Sequence, residues 1–343
     1  GTRVPALTVG VVGASGMVGG ELLSLLEKRR FPVGKLIPFN SGRRETFVRF
    51  RGKGYRCAAP SLPALKECGL VFFVSTDEVS ARFGKKLAAA GTWCIDDSSH
   101  FRLDPSVPLV IPEVNPGGLD GRSRLVAGPN CTITGAAVPL ARVHRRFGIK
   151  ELRLATYQAV SGAGKSAMEQ LRTELAHWLK KGRVPDLTGR RLPHPIAFNV
   201  FPQVGGFDAE GNSSEENKVA AELKKLWSAP GLRVSCTAVR VPVLRGHSLA
   251  VWARTVKPWT LKSLGREIAA AEGVEFRPGR EDYPTPLGEG DRTFKVYAGR
   301  LRRSGTHPRE FQLWAVSDNL YKGAAWNSVQ IAEKLLTAGK LGV

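Results

Sequence analysis

A lone cysteine in Gly128-Pro129-Asn130-Cys131-Thr132-Ile133-Thr134-Gly135 is the side chain of this sequence best placed for covalent chemistry. It follows a short apolar, strand-like run (Leu125 to Ala127) and precedes a helical pattern that continues to about Phe147. A thiol at the start of a helix meets unpaired backbone N–H groups and the positive end of the helix dipole. Both favour thiolate, the nucleophilic form. Asn130 beside it offers an amide for a developing oxyanion. An unpaired cysteine is also often just a small buried hydrophobe, so the weight falls on its company. Further reactive residues stand in three islands: Tyr157-Gln158-Ala159-Val160-Ser161-Gly162-Ala163-Gly164, the stretch Arg240 to Ser248 with His247, and Ser98-Ser99-His100-Phe101-Arg102. Singly, each is explained by a capped turn, a surface arginine or a hydrogen-bonded histidine.

A second kind of chemistry is written at the N-terminus. Gly10, Gly13, Ser15, Gly16, Met17 and Val18 lie where an apolar run, Leu7 to Val12, gives way to a helical pattern from Met17 to about Lys28. Glycines there allow a tight turn and close approach of backbone to a pyrophosphate, which the helix N-terminus then holds. The spacing is GxxGxxG, and its strand–turn–helix setting makes it a dinucleotide site. After the second apolar run, Leu36 to Phe39, an NAD site would place an acid for the ribose hydroxyls. This chain has Asn40-Ser41-Gly42-Arg43-Arg44, with no acid before Glu45. Hydroxyl and guanidinium groups suit a 2′-phosphate, so the cofactor read here is NADP.

These residues need two kinds of scaffold. Up to about residue 130, short apolar runs (Val71-Ser75, Trp93-Asp96, Leu109-Ile111) alternate with helical patterns, as in βαβ units on a parallel sheet. From Glu151 the strand patterns are longer and alternating: Leu152-Gln158, Val234-Val239, Leu249-Thr255, Phe294-Leu301 and Phe311-Val316. Helical stretches at Ser166-Lys181, Glu216-Leu226 and Leu261-Ala271 interrupt them, which suggests an α+β domain on an antiparallel or mixed sheet. The Gly/Pro-rich region Gly182 to Gly211 is long for a loop and should carry an interface or irregular structure. A last amphipathic helix is expected from Ala324 to about Ala338.

Bulk properties exclude several classes. A chain of 343 residues suits two domains, and no apolar run approaches the roughly 18 residues of a membrane span. The apolar N-terminal stretch runs straight into the glycine loop, unlike a signal peptide. Cys57, Cys68, Cys94, Cys131 and Cys236 are scattered and odd in number, which argues for a reducing, cytoplasmic setting without disulfides or a thiolate metal site. The six histidines form no metal-binding pair. The net charge of +21 is dispersed; Lys180-Lys181-Gly182-Arg183 and Arg190-Arg191 read as a solvated basic face without interleaved aromatics, so no nucleic acid is expected. A basic surface would still attract anionic substrates.

Taken together and in this order, the islands resemble the aspartate-semialdehyde dehydrogenases. The resemblance also rests on Asp97-Ser-Ser-His-Phe-Arg102, Pro112-Glu-Val-Asn115, Glu215-Glu-Asn-Lys218 and Asp318-Asn-Leu-Tyr-Lys-Gly-Ala-Ala325, and spans nearly the whole chain. It implies a Rossmann-type NADP-binding domain over 1–130, with a C-terminal helix within 320–343 packed back on it. A catalytic and dimerisation domain over 131–319 and a homodimer are also implied. The implied reaction is NADPH-dependent reduction of L-aspartyl 4-phosphate to L-aspartate 4-semialdehyde, on the route to lysine, methionine and threonine. Cys131 would be the nucleophile, His247 the general acid/base, and Gln158 with Asn130 would hold the acyl oxygen. Arg240 would take the substrate carboxylate, Glu215 the ammonium, and Arg102 with Lys218 the phosphate. Ser41, Arg43, Ser161, Gly162 and Asn319 would be further NADP contacts.

Glu215 and Lys218 also fit a plain i,i+3 ion pair on a helix surface. Asp97, His100 and Tyr321 depart from the family pattern, which usually has Asn, a small residue and a basic residue there. The nearest alternative is an N-acetylglutamyl-phosphate reductase, with the same thioester chemistry. The Gln158 to Gly164 loop and the Arg240/His247 spacing argue against it. A non-catalytic relative binding partners through its basic surface would not need the intact Cys, His, Gln and Arg set.

Overall fold

Mostly apolar runs of three to seven residues, too short for helices, build a parallel sheet in the first part of the chain. The computed structural model describes residues 7–341, which divide into one unit running to Asn130 and resuming at Ala324, and a second spanning Cys131–Gly323. In the first unit the order is β1 (Leu7–Val12), α1 (Met17–Lys28), β2 (Val33–Phe39), a hairpin of β3 (Phe47–Phe50) and β4 (Lys53–Arg56), α2 (Leu62–Lys66), β5 (Leu70–Phe73), α3 (Asp77–Ala89), β6 (Trp93–Asp96) and β7 (Leu125–Ala127). The main sheet runs β2-β1-β5-β6-β7, all parallel. Strand order reverses at β1, where doubly wound sheets open a ligand crevice at the carboxyl ends.

Leu109-Ile111 does not form the expected strand. It makes one bridge, Leu109 to Ala127, with Val110 N–H donating to Ala127 O and Ala127 N–H to Pro108 O. Pro108 and Pro112 flank the run, and proline offers no N–H to extend a ladder. Its apolar character reflects burial against the sheet edge.

The second unit follows with α4 (Thr134–Phe147), β8 (Ile149–Gln158), α5 (Lys165–Lys181), α6 (Ser214–Leu226), β9 (Arg233–Arg240), β10 (His247–Thr255), α7 (Leu261–Ala269), β11 (Val274–Arg277), α8 (Pro286–Glu289), β12 (Val296–Arg303) and β13 (Glu310–Ser317). Its sheet is mixed and six-stranded, in the order β11-β12-β13-β10-β8-β9; β8/β9 and β11/β12 are parallel. Helix α4 packs on β10, β12 and β13. Gly135 permits this approach, because a Cβ there would lie 2.6 Å from Leu249 Cδ1. The face under α4 carries Leu249, Val251, Leu313 and Ala315; the alternate residues Tyr157, Trp252 and Trp314 point the other way and are partly exposed.

Between α5 and α6 the chain is irregular, as its Gly/Pro content suggested, yet it is tied down. Buried Glu174 accepts the N–H groups of Ile196 (2.7 Å) and Ala197 (2.8 Å), and Gln170 Oε1 accepts Leu192 N–H (2.9 Å). The chain returns to the first unit through a π-helical turn, Tyr321–Ala325, and then α9 (Trp326–Thr337), which packs on α1 and β6. Helix thus starts two residues later than expected, and positions 342 and 343 lie outside the described residues. Among the described residues no helix is long and apolar enough to cross a membrane.

Candidate active site

Three strands end in one row. In the parallel pair β8/β9, Gln158 sits opposite Arg240; in the antiparallel pair β8/β10, Tyr157 sits opposite Ser248, which brings His247 to the level of Gln158. Arg240, Gln158 and His247 are all buried. Residues 82 positions apart in sequence become neighbours by register alone.

Cys131 lies in the turn just ahead of α4, three residues before its first residue, and is half-buried. Its Sγ is 3.3 Å from His247 Nε2. On the other side of the ring, Ala159 N–H donates to His247 Nδ1 at 3.0 Å. A backbone N–H cannot accept, so Nδ1 has no proton and the neutral ring carries it on Nε2, facing the sulfur. Burial, and then the charge of Arg240, push the imidazole pKa down to about 3. Burial raises the pKa of Cys57, pushes Cys68 and Cys236 up to about 12, and raises Cys94 further. They are inert thiols.

Close packing holds this pair in place. A Cβ on Gly323 would lie 3.0 Å from Cys131 Cβ and 2.9 Å from its carbonyl oxygen. A Cβ on Gly162 would lie 3.1 Å from Arg240 Nη1 and 3.3 Å from His247 Nε2. Gly162, expected as a cofactor contact, lies in the structure as the floor under the imidazole. Gly323 was not singled out by sequence; its place in the Asp318 to Ala325 island was the available signal.

Arg240 Nη1 donates to Ala159 O at 2.6 Å, while its Nε is buried with no hydrogen-bond partner. Gln158 Nε2 donates to Glu215 Oε2 at 2.9 Å, and Thr156 donates its hydroxyl hydrogen to Gln158 Oε1. Glu215 is therefore turned inward at the start of α6, not spread on a helix surface. The capping box of Ser213 and Glu216 fixes that helix end. Glu215, Lys218 and Arg240 line one cavity of about 680 Å³ with Gly162, Arg190 and Arg191. The two arginines, read from sequence as a solvated basic face, thus border this pocket.

Other expected site residues are placed differently. Asn319 and Ser161 are buried and bonded to each other, with Gly246 N–H donating to Asn319 Oδ1 at 2.9 Å. Their side chains brace the loop ahead of His247. Arg102, in the first unit, donates through Nε to Gly128 O and through Nη2 to Asp97 O. Asn130 is buried at the end of that unit. Of the departing residues, His100 stands edge-on to Phe101, and Tyr321 is buried with the Arg245 guanidinium 4.9 Å from its ring centre. Arg245 in turn pairs with buried Asp318.

The first unit has its own cleft, of about 810 Å³, lined by Gly13, Ser15 and Gly16 of the glycine turn, Asn40, Ser41, Arg43 and Arg44 after β2, and Val74 to Thr76 after β5. Gly13 has φ +90°, and a Cβ there would strike Val74 O. Gly16 caps α1 without a side-chain bond, so the N–H groups of the first turn face the cleft end uncapped. Met17 and Val18 open that helix and are half-buried. Gly10 does not belong to the cleft: it lies inside β1, where a Cβ would lie 2.9 Å from Cys68 Sγ. It is a packing glycine. The open turn and the absence of acids among these lining residues fit a dinucleotide phosphate backbone. Among the described residues, no group of His, Cys, Asp or Glu could hold a metal ion.

Comparison with known proteins agrees with this arrangement. Residues 8–121 match the semialdehyde dehydrogenase NAD-binding domain, and residues 140–322 the semialdehyde dehydrogenase dimerisation domain. The chain is 40% identical to the aspartate-semialdehyde dehydrogenase of Shewanella violacea over 95% of this chain and 96% of that protein. It is 37% identical to that of Aquifex aeolicus, over 96% and 98%. The crystal structure of aspartate semialdehyde dehydrogenase II from Vibrio cholerae, complexed with ASA, superposes with a TM-score of 0.91 at 35% identity, covering 97% of this chain and 98% of that one. With both domain matches and near-full-length likeness, the chain belongs to the aspartate-semialdehyde dehydrogenase family.

Proposed function

We propose that this protein reduces L-aspartyl 4-phosphate to L-aspartate 4-semialdehyde with NADPH, releasing phosphate, through a thioester on Cys131. The observation that carries the reading is the 3.3 Å approach of Cys131 Sγ to His247 Nε2 beside a buried arginine with an open Nε. The Cys131 thiolate adds to the acyl carbon, and the bond to the phosphate oxygen breaks with its electron pair, leaving the thioester. The reduced nicotinamide, when bound, supplies the hydride. Collapse of the tetrahedral alkoxide breaks the C–S bond and returns sulfur as thiolate. The balanced reaction consumes one proton, taken by the departing phosphate from solvent, because a neutral His247 already protonated at Nε2 holds no spare proton and keeps its Nε2–H aimed at the sulfur. The same N–H stabilises charge on sulfur or on the acyl oxygen, with Gln158 and Asn130 as further donors.

Arg240 would grip the α-carboxylate through its Nε and Nη2 edge, since Nη1 is committed to Ala159. Glu215 would receive the ammonium, and Lys218 and Arg102 the phosphate. Ser41, Arg43 and Arg44 would hold the 2′-phosphate of NADP, with Ser161, Gly162 and Asn319 nearer the nicotinamide. The free thiols suit a reducing, cytoplasmic setting. The partly exposed Tyr157, Trp252 and Trp314 on the uncovered sheet face would meet a second copy of the chain; sedimentation of a monomer at micromolar concentration would refute that dimer.

The decisive assay runs backwards. Oxidation of aspartate semialdehyde with NADP should proceed only when phosphate or arsenate is present, because the thioester needs an oxyanion acceptor. Equal rates without either anion, or a preference for the N-acetylglutamyl substrate, would overturn the assignment.

A further inference from the structure

We propose that Arg191 is an anion-binding residue of the substrate pocket, supplying with Lys218 the positive charge that holds the phosphate group. The inference rests on the aspartyl-phosphate reading above and adds a cation to the Lys218 and Arg102 already assigned to that group. Arg190 and Arg191 both border the cavity that holds Arg240, Glu215 and Lys218, but they are spent differently. Arg190 pairs with Asp186 and donates through Nε and Nη2 to Pro193 O. Arg191 donates through Nε to Ala163 O at 3.3 Å, at the far end of the small-residue loop that starts at Gln158. Burial lowers the Arg240 pKa, and the charge of Arg191 adds to that effect.

The backbone around Arg191 is fixed before any ligand arrives. Leu192 N–H is held by Gln170 Oε1, and the Leu192 side chain is buried with Val160, Leu171 and Ile196. Only the arginine side chain must be ordered on binding, which lowers the entropic cost. Charge matching assigns the ligand. Arg240 and Glu215 complement the carboxylate and ammonium of the amino-acid end. The phosphate carries two further negative charges, and Lys218 and Arg191 are the cations that remain on the cavity wall. Arg102 meanwhile has Nε and Nη2 committed to backbone carbonyls.

The test varies phosphate at saturating semialdehyde and NADP. In Arg191→Ala the KM for phosphate should rise about tenfold, the scale of a lost charge-assisted hydrogen bond, while kcat and the KM for semialdehyde move less than about twofold. Arg191→Lys should recover part of the loss. An unchanged phosphate KM, or an equal rise in the semialdehyde KM, overturns the proposal, as does a lowered Tm with unaltered kinetics. A second readout needs no turnover: the rate of Cys131 alkylation by iodoacetate relative to iodoacetamide, followed by peptide mass spectrometry. Arg191→Ala should lower that ratio several-fold, and an unaltered ratio counts against an anion-attracting Arg191. Absence of phosphate-dependent turnover in the unsubstituted protein would refute the functional reading, while the alkylation ratio still decides Arg191.

Discussion

The two clefts of this protein are built by opposite means. The nucleotide cleft is made of backbone: a glycine turn, an uncapped helix start, and exposed Arg43 and Arg44 at its rim. The candidate catalytic site is made of buried side chains, each locked by a partner: Arg240 on Ala159 O, Gln158 on Glu215, His247 on Ala159 N–H. A backbone cradle binds any dinucleotide phosphate and leaves discrimination to a few rim residues. A buried side-chain site has high local electrostatic stakes, since each unpartnered group is costly in low dielectric. Substitutions should therefore cost orders of magnitude in the second site and small factors in the first.

The largest effect is expected at the nucleophile. Cys131→Ala should lower turnover by at least about 10⁴-fold, because no thioester can form, and leave NADP affinity unchanged. Tritration of bound cofactor by fluorescence alongside the rate assay separates the two. Retained turnover would erase the contrast between the sites. Next comes the imidazole. His247→Gln should lower kcat by about 10²- to 10³-fold, the range for a lost hydrogen-bond donor to developing charge. The pH dependence sharpens this. Burial and Arg240 hold His247 neutral down to about pH 3, so its protonation contributes no acid limb near 6.5 to kcat/KM. A limb near 6.5 that disappears in His247→Gln would show an imidazole that titrates normally and is not sealed under Arg240.

The same contrast explains what could be read in the sequence. The cofactor cleft is local: strand, glycine turn and helix are contiguous, so periodicity and glycine spacing reveal it. The catalytic row is not local. Gln158, Arg240 and His247 meet only through the register of β8, β9 and β10, and no spacing rule predicts which residues face each other. Likeness to a known family, not periodicity, brought them together. Burial misled in two places. Gly10 carries a motif position but clears Cys68, and Leu109-Ile111 is apolar without pairing as a strand. Composition was incomplete in a third: Arg191 is exposed in loop-like sequence as expected, but buried Gln170 and Glu174 pin that loop beside the cavity that also holds Arg240. Those two anchors lie on α5, about twenty residues from the backbone they hold, and show no local signature.

The smallest effect is expected at the rim of the nucleotide cleft. Arg43 and Arg44 are exposed, and an exposed guanidinium gains little from a single contact because water and salt screen it. Arg43→Ala should raise the KM for NADP about fivefold and that for NAD by less than about twofold, since only the former carries the 2′-phosphate. Removing Arg44 as well should flatten the remaining preference, and the NADP effect should shrink as ionic strength rises, with KM measured for both cofactors at each salt concentration. The turnover number should not change, because neither arginine belongs to the unit that holds Cys131 and His247. Equal losses for both cofactors would mean that the arginines support the fold of the β2 loop and do not read the phosphate. A fall in kcat would mean that this rim is coupled to chemistry, and the division of labour between a permissive cradle and a locked catalytic row would fail.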